Sequence, residues 1–140
     1  MAKFKFRLQS VLDYREEVEK GKRQLLSVEE EKLKVLNDKF IQVECELEEN
    51  RQLLDTQRFT LFEYQQLIHY KDLLILKKDE LSKKIYQQEK VVSQFELDWQ
   101  EAKKEVCVLE KLKEKKELLF KEELDKKEAQ ELDEMATMRF

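Results

Sequence analysis

The sequence predicts an all-α protein: an antiparallel two-helix coiled-coil hairpin with long helices and a C-terminal helical overhang. Three observations carry that expectation. Chain breakers are nearly absent, since 140 residues contain one glycine, Gly21, and no proline. Strand-rich folds need a turn built on Gly, Pro, Asn or Asp about every 8–12 residues. Charge is the second observation: 43% of residues are charged and 41% hydrophobic, enough apolar side chains for a stripe along a helix and too few for a globular interior. The third is spacing. Apolar residues return at alternating intervals of three and four, the a and d positions of a heptad.

Each element follows from that spacing. A first helix, about residues 8–57, begins with the track Val11, Tyr14, Val18, Gly21, Leu25, Val28. From Leu26 the stripe moves over by one residue and continues through Leu33, Leu36, Phe40, Val43, Leu47, Asn50 and Leu54, a skip that would locally unwind a supercoil. A turn is expected at about 58–63, where both tracks end. A second helix, about 64–137, carries one unbroken track: Tyr64, Leu67, Lys71, Leu74, Lys78, Leu81, Ile85, Gln88, Val92, Phe95, Trp99, Ala102, Val106, Leu109. Folding back lets the tracks cover each other, with Val11 facing Leu109, Gly21 facing Trp99, Leu36 facing Ile85 and Leu54 facing Leu67. The expected organisation is a single coiled-coil domain over 1–140, monomeric alone. A continuous helix pairing with a second chain is the competing architecture.

Beyond about Lys111 the second helix has only the first ten residues to lie against. Between Glu110 and Glu134, 17 of 25 residues are charged, and pairs such as Glu117–Lys121 and Glu122–Lys126 support a solvated helix at i, i+4. Its sparse apolar residues, Leu112, Leu119, Leu132 and Met135 among them, form a thin stripe that suits docking better than core formation.

Chemistry of the catalytic kind finds little material. His69 is the only histidine, there is no Gly-rich loop to hold a phosphate, and acid–base work needs a dry pocket that a two-helix coil does not build. No catalytic, cofactor-binding or metal-ligating residue is expected, and no small-molecule substrate. Positive and negative charges nearly balance, 28 against 32 for a net −4, without the basic excess of a nucleic-acid binder. No apolar run approaches the ~18 residues of a membrane span. The opening residues lack the apolar stretch of a signal peptide. Cys45 and Cys107, far apart and without CxxC spacing, read as reduced thiols of a cytoplasmic protein.

Two segments carry more apolar surface than a seam requires. The start Lys3-Phe4-Lys5-Phe6-Arg7 has too few cations for firm membrane binding at ~1 kcal/mol each. Packing of Phe4, Phe6 and Leu8 on the overhanging helix, or on a partner, is the expected use. Around the turn, Phe59, Leu61, Phe62, Tyr64, Leu67 and their neighbours through Leu76 place apolar and aromatic groups all round the helix, as an exposed partner site would.

The start Lys3-Phe4-Lys5-Phe6-Arg7-Leu8-Gln9-Ser10-Val11-Leu12, followed by Tyr14-Arg15-Glu16-Glu17, resembles the flagellar export protein family FliJ. So do Glu63-Tyr64-Gln65-Gln66-Leu67, Leu109-Glu110-Lys111-Leu112-Lys113-Glu114-Lys115 and the ending Glu128-Ala129-Gln130-Glu131-Leu132-Asp133-Glu134-Met135-Ala136. The resemblance covers essentially the whole chain in order; stalk proteins of injectisome secretion systems look similar at this level. It implies a non-enzymatic coiled-coil stalk of the flagellar type III export apparatus, cytoplasmic and peripherally associated with the cell membrane. Its implied partners are a hexameric export ATPase, a membrane export gate protein and export chaperones. On that mapping Phe4, Phe6, Leu8, Leu112, Leu119, Leu132 and Met135 serve the ATPase ring. Phe59, Phe62, Tyr64, Leu67, Lys71, Leu74 and Lys78 serve the gate. A generic structural or self-assembling coiled-coil spacer is the alternative.

Overall fold

A computed structural model describes residues 2–56 and 58–139. Met1 and Phe140, the ends of the expected domain, and Gln57, the expected last residue of the first helix, lie outside the described residues. Two helices account for nearly all the rest: α1 (Gln9–Thr56) and α2 (Leu61–Met138). Their direct contacts join Arg15 to Glu105, Glu19 to Trp99, Glu29 to Gln88, Glu46 to Tyr70 and Asn50 to Leu67. As the number rises along α1 it falls along α2, so the pair is antiparallel and the chain is a helical hairpin.

A turn free of Gly and Pro closes because α2 is capped by its own sequence. The Thr60 hydroxyl accepts from the Glu63 amide at 3.3 Å, and the Glu63 carboxylate accepts from the Thr60 amide at 3.4 Å. This capping box satisfies two of the donors a helix start leaves open. It starts α2 at Leu61, three residues before the expected position. The acidic Glu63 also sits favourably at the positive end of the helix dipole.

Burial corrects the reading of α1. Val11, Tyr14, Leu25 and Val28 are exposed, Tyr14 to 61%, whereas Leu12 and Leu26 are buried. The inward track is therefore Leu12, Arg15, Glu19, Lys22, Leu26, Glu29, Leu33, Leu36, Phe40, Val43, Leu47, Asn50, Leu54, all buried or half-buried. It keeps one heptad phase throughout, and no skip exists. The reason is chemical: Arg15, Glu19, Lys22 and Glu29 lie along the seam with their apolar stems, holding their charged heads toward water. An apolar pattern steps over such positions onto the valines and tyrosine beside them. On α2 the expected track holds from Leu67 to Leu109, while Tyr64 is exposed.

Contacts divide into two units, Arg23–Asp98 and Met1–Lys22 with Trp99–Phe140. In the first, Val43, Leu74 and Leu81 form a buried cluster against which Leu36, Phe40 and Leu47 pack. Burying a side chain of that size contributes about 1.5–3 kcal/mol. Asn50 is buried to 3% exposure; its amide donates to the Leu67 carbonyl at 3.3 Å, and its Oδ1 has no partner among the described residues. Gln88 donates to both the carbonyl and the carboxylate of Glu29, at 3.0 and 2.7 Å. That bond, and then Lys32 beside it, hold the Glu29 carboxyl below its ordinary value of 4.5.

In the second unit Leu12, Ala102 and Val106 are buried. Polar bonds flank them: Trp99 Nε1 donates to Glu19 at 2.8 Å, and Arg15 pairs with Glu105 at 2.7 Å in an exposed setting. The expected packing of Trp99 on Gly21 is not formed. A Cβ placed on Gly21 would meet nothing within 4 Å, because the indole turns to reach the Glu19 carboxylate instead.

Candidate partner surfaces

The unit Arg23–Asp98 presents a second stripe on α2. Phe62, Gln66, His69, Leu73 and Leu76 recur at alternating steps of four and three, the same period as the seam but offset from it. At 100° per residue this stripe lies on the face of α2 opposite Leu67, Leu74 and Leu81. All five are exposed, Phe62 to 67% and Leu76 to 61%. Tyr70 flanks the stripe; its hydroxyl donates to Glu46 at 3.4 Å. Partial burial, and then the Glu46 charge, push its phenol above the ordinary range, so it stays a neutral donor at physiological pH. Shallow grooves run beside Phe62 and Leu73, and beside Phe59 and Tyr70.

The expected gate-side residues separate on this geometry. Phe62 and Tyr64 are exposed, and Phe59 and Leu67 are half-buried. Leu74 is buried at 4% exposure within the core cluster, as its place on the expected seam track requires. Lys71 and Lys78 are half-buried seam residues, and the Lys78 ammonium sits 5.5 Å from the Phe40 ring centre and 3.7 Å from Glu44. Both attractions keep it on the hairpin. Leu73 and Leu76, from the apolar stretch expected around the turn though not in the gate-side set, carry the outer stripe together with His69. Their signal was present as a second heptad phase.

The unit containing both termini presents a different surface. Residues 2–6 have no regular secondary structure and lie along α2, with the Phe4 ring tilted 49° to Phe120 at 5.6 Å between centres. The expected packing of the N-terminal aromatics on the overhanging helix is thus formed. Phe4, Phe6, Leu112 and Phe120 are half-buried, and Leu8 and Leu119 are exposed. Together they line a cleft of about 770 Å³. Farther along α2, Leu132 and Met135 are 68% and 65% exposed. They share no cluster with the N-terminal residues, so the expected ATPase-side set splits into a cleft and a separate bare stretch of helix.

No group of His, Cys, Asp and Glu among the described residues could hold a metal ion. Cys45 and Cys107 are exposed free thiols. No helix is long and apolar enough to cross a membrane. Residues 4–140 match the family model described as Flagellar FliJ protein.

The chain belongs to the FliJ family. Membership makes it a component of flagellar type III protein export, in a family whose members are structural export components and not catalysts. Comparison with curated proteins and with solved structures finds no match. The antiparallel hairpin expected from the heptad tracks and the family identified from the motifs agree.

Proposed function

We propose that this chain is a stalk-like adaptor of the export apparatus, cytoplasmic and peripherally bound at the membrane. In this reading its termini-bearing unit engages the hexameric export ATPase, and the outer stripe near the turn engages the membrane export gate protein and export chaperones. The observation that supports it best is the presence of exposed apolar surface on both units of a hairpin whose own core needs neither. Exposed aromatic and apolar clusters of this size on a small chain are typical of binding sites. The surrounding charge favours contacts that form and release quickly, since exposed ion pairs each contribute only about 0–1 kcal/mol.

A partner changes an enzyme's turnover only by binding one of its states better than another. A hairpin at a six-subunit ring would do so by contacting few subunits at a time, favouring one subunit conformation in the ring. The test is steady-state ATP hydrolysis by the purified hexamer with increasing hairpin. Saturable stimulation is expected, lost when Phe4 and Phe6 are both replaced by Ala. Unchanged turnover at saturation, with the helices intact by circular dichroism, would refute the ring assignment.

A further inference from the structure

We infer that the cleft between the N-terminal segment and α2 is a docking site for an acidic peptide segment that carries a bulky apolar side chain. Residues 3–8 alternate basic and apolar types, and the fold uses the alternation. Phe4 and Phe6 turn toward α2 and are half-buried, while Lys3, Lys5 and Arg7 stay exposed along the rim. Leu112 and Leu119 extend the apolar floor, and Lys116 adds a fourth cation to the lining against one acid, Glu123. The lining therefore carries a net positive charge although the chain as a whole carries net −4. Among the described residues, none of its four cations takes part in an ion pair.

The shape narrows the class of partner. At about 770 Å³ the cleft falls within the ~300–1,000 Å³ of ligand pockets. That is room for one or two large side chains with adjoining backbone. An anionic membrane surface fits less well, because it is flat whereas the apolar floor lies within a cleft. The inference goes beyond the ring assignment, since it names the chemistry of the docked segment and not the protein that carries it.

The test uses the full chain and a fluorescein-labelled peptide of repeated Glu-Glu-Leu-Phe, about 12 residues long, followed by anisotropy with no ATPase present. The same peptide with every glutamate replaced by lysine is the control probe. The acidic peptide is expected to bind, to weaken as salt rises, and to bind at least about tenfold tighter than the lysine peptide. Lys3→Glu/Lys5→Glu/Arg7→Glu should lower that affinity about tenfold or more. Lys34→Glu/Lys83→Glu/Lys84→Glu, the same charge change elsewhere, should leave it within about twofold. Equal binding of the two peptides, or equal losses in the two triple variants, would overturn the proposal. So would failure of the peptide with cleft-dependent binding to phosphatidylglycerol vesicles, which would assign the site to lipid. Because the titration lacks the hexamer, it can succeed or fail independently of the turnover assay.

Discussion

The two units of this hairpin share one heptad period and use it differently. Around Val43, Leu74 and Leu81 the seam is an apolar cluster that also gathers Leu36, Phe40 and Leu47. In the unit with the termini the buried side chains are Leu12, Ala102 and Val106; both units add polar cross-helix bonds, Arg15–Glu105 and Glu19–Trp99 here, Glu29–Gln88, Glu46–Tyr70 and Asn50–Leu67 in the other. Buried side chains join into one cluster in the first unit; both units leave large apolar side chains exposed, Phe62 and Leu76 in the first, Leu132 and Met135 in the second. The lesson is that a repeating period fixes which face turns inward, while the residues placed on it decide whether that face is saturated or left for a partner.

The largest expected effect breaks the contrast inside one turn of helix. Leu74→Ala removes a buried side chain and should cost about 2–4 kcal/mol in urea unfolding. Leu76→Ala, two residues on but on the outer stripe, should change stability by less than about 0.5 kcal/mol. Similar costs for both would mean that the outer stripe is packed and not free.

Asn50 should give the next effect. Its Oδ1 is buried without a partner among the described residues, which costs about 1–3 kcal/mol. Asn50→Leu is therefore expected to raise the melting temperature. The same change removes a polar seam residue of the kind that specifies register and association state, so sedimentation should begin to detect dimers. A smaller gain is expected from Gly21→Ala. The added methyl meets nothing within 4 Å and a helix-interior glycine costs about 0.5–1 kcal/mol against alanine. A destabilised Gly21→Ala would show that Trp99 does pack there.

The smallest effect is a pH dependence. Glu29 titrates below its ordinary 4.5, first because Gln88 donates to its carboxylate and then because of Lys32. Its contribution to stability is complete above about 4.5. It is lost as pH falls through the lower folded value, when the carboxylate is protonated and the Gln88 bond weakens. Glu29→Gln should flatten the stability profile in that acid range, and an unchanged profile would mean the Gln88 bond does not form in solution.

Much of the architecture was legible because heptads write it twice, once on each helix. The α2 track from Leu67 to Leu109 needed only apolar spacing. The α1 seam was misread over its first third because Arg15, Glu19, Lys22 and Glu29 stand where apolar residues were sought, and amphipathic stems are invisible to a pattern of hydrophobic types. The start of α2 was placed late although Thr60-Leu61-Phe62-Glu63 carries the capping-box spacing. For the partner surfaces, the aromatics of residues 3–8 were legible. The cleft they form was not, because it depends on Phe120 and Lys116, more than a hundred residues away. Leu74 stood both on the expected seam track and in the gate-side set taken from the resemblance, because family position says nothing about which face of a helix a residue takes; its burial follows the track. The outer stripe from Phe62 to Leu76 follows from spacing once the seam phase is known.

Hydrogen–deuterium exchange of the hairpin, free and mixed with the hexameric export ATPase, tests the division of labour most directly. Protection is expected to rise in residues 3–8 and 112–135 on mixing, with residues 61–76 unchanged. Protection appearing at 61–76 while the termini stay open would contradict it.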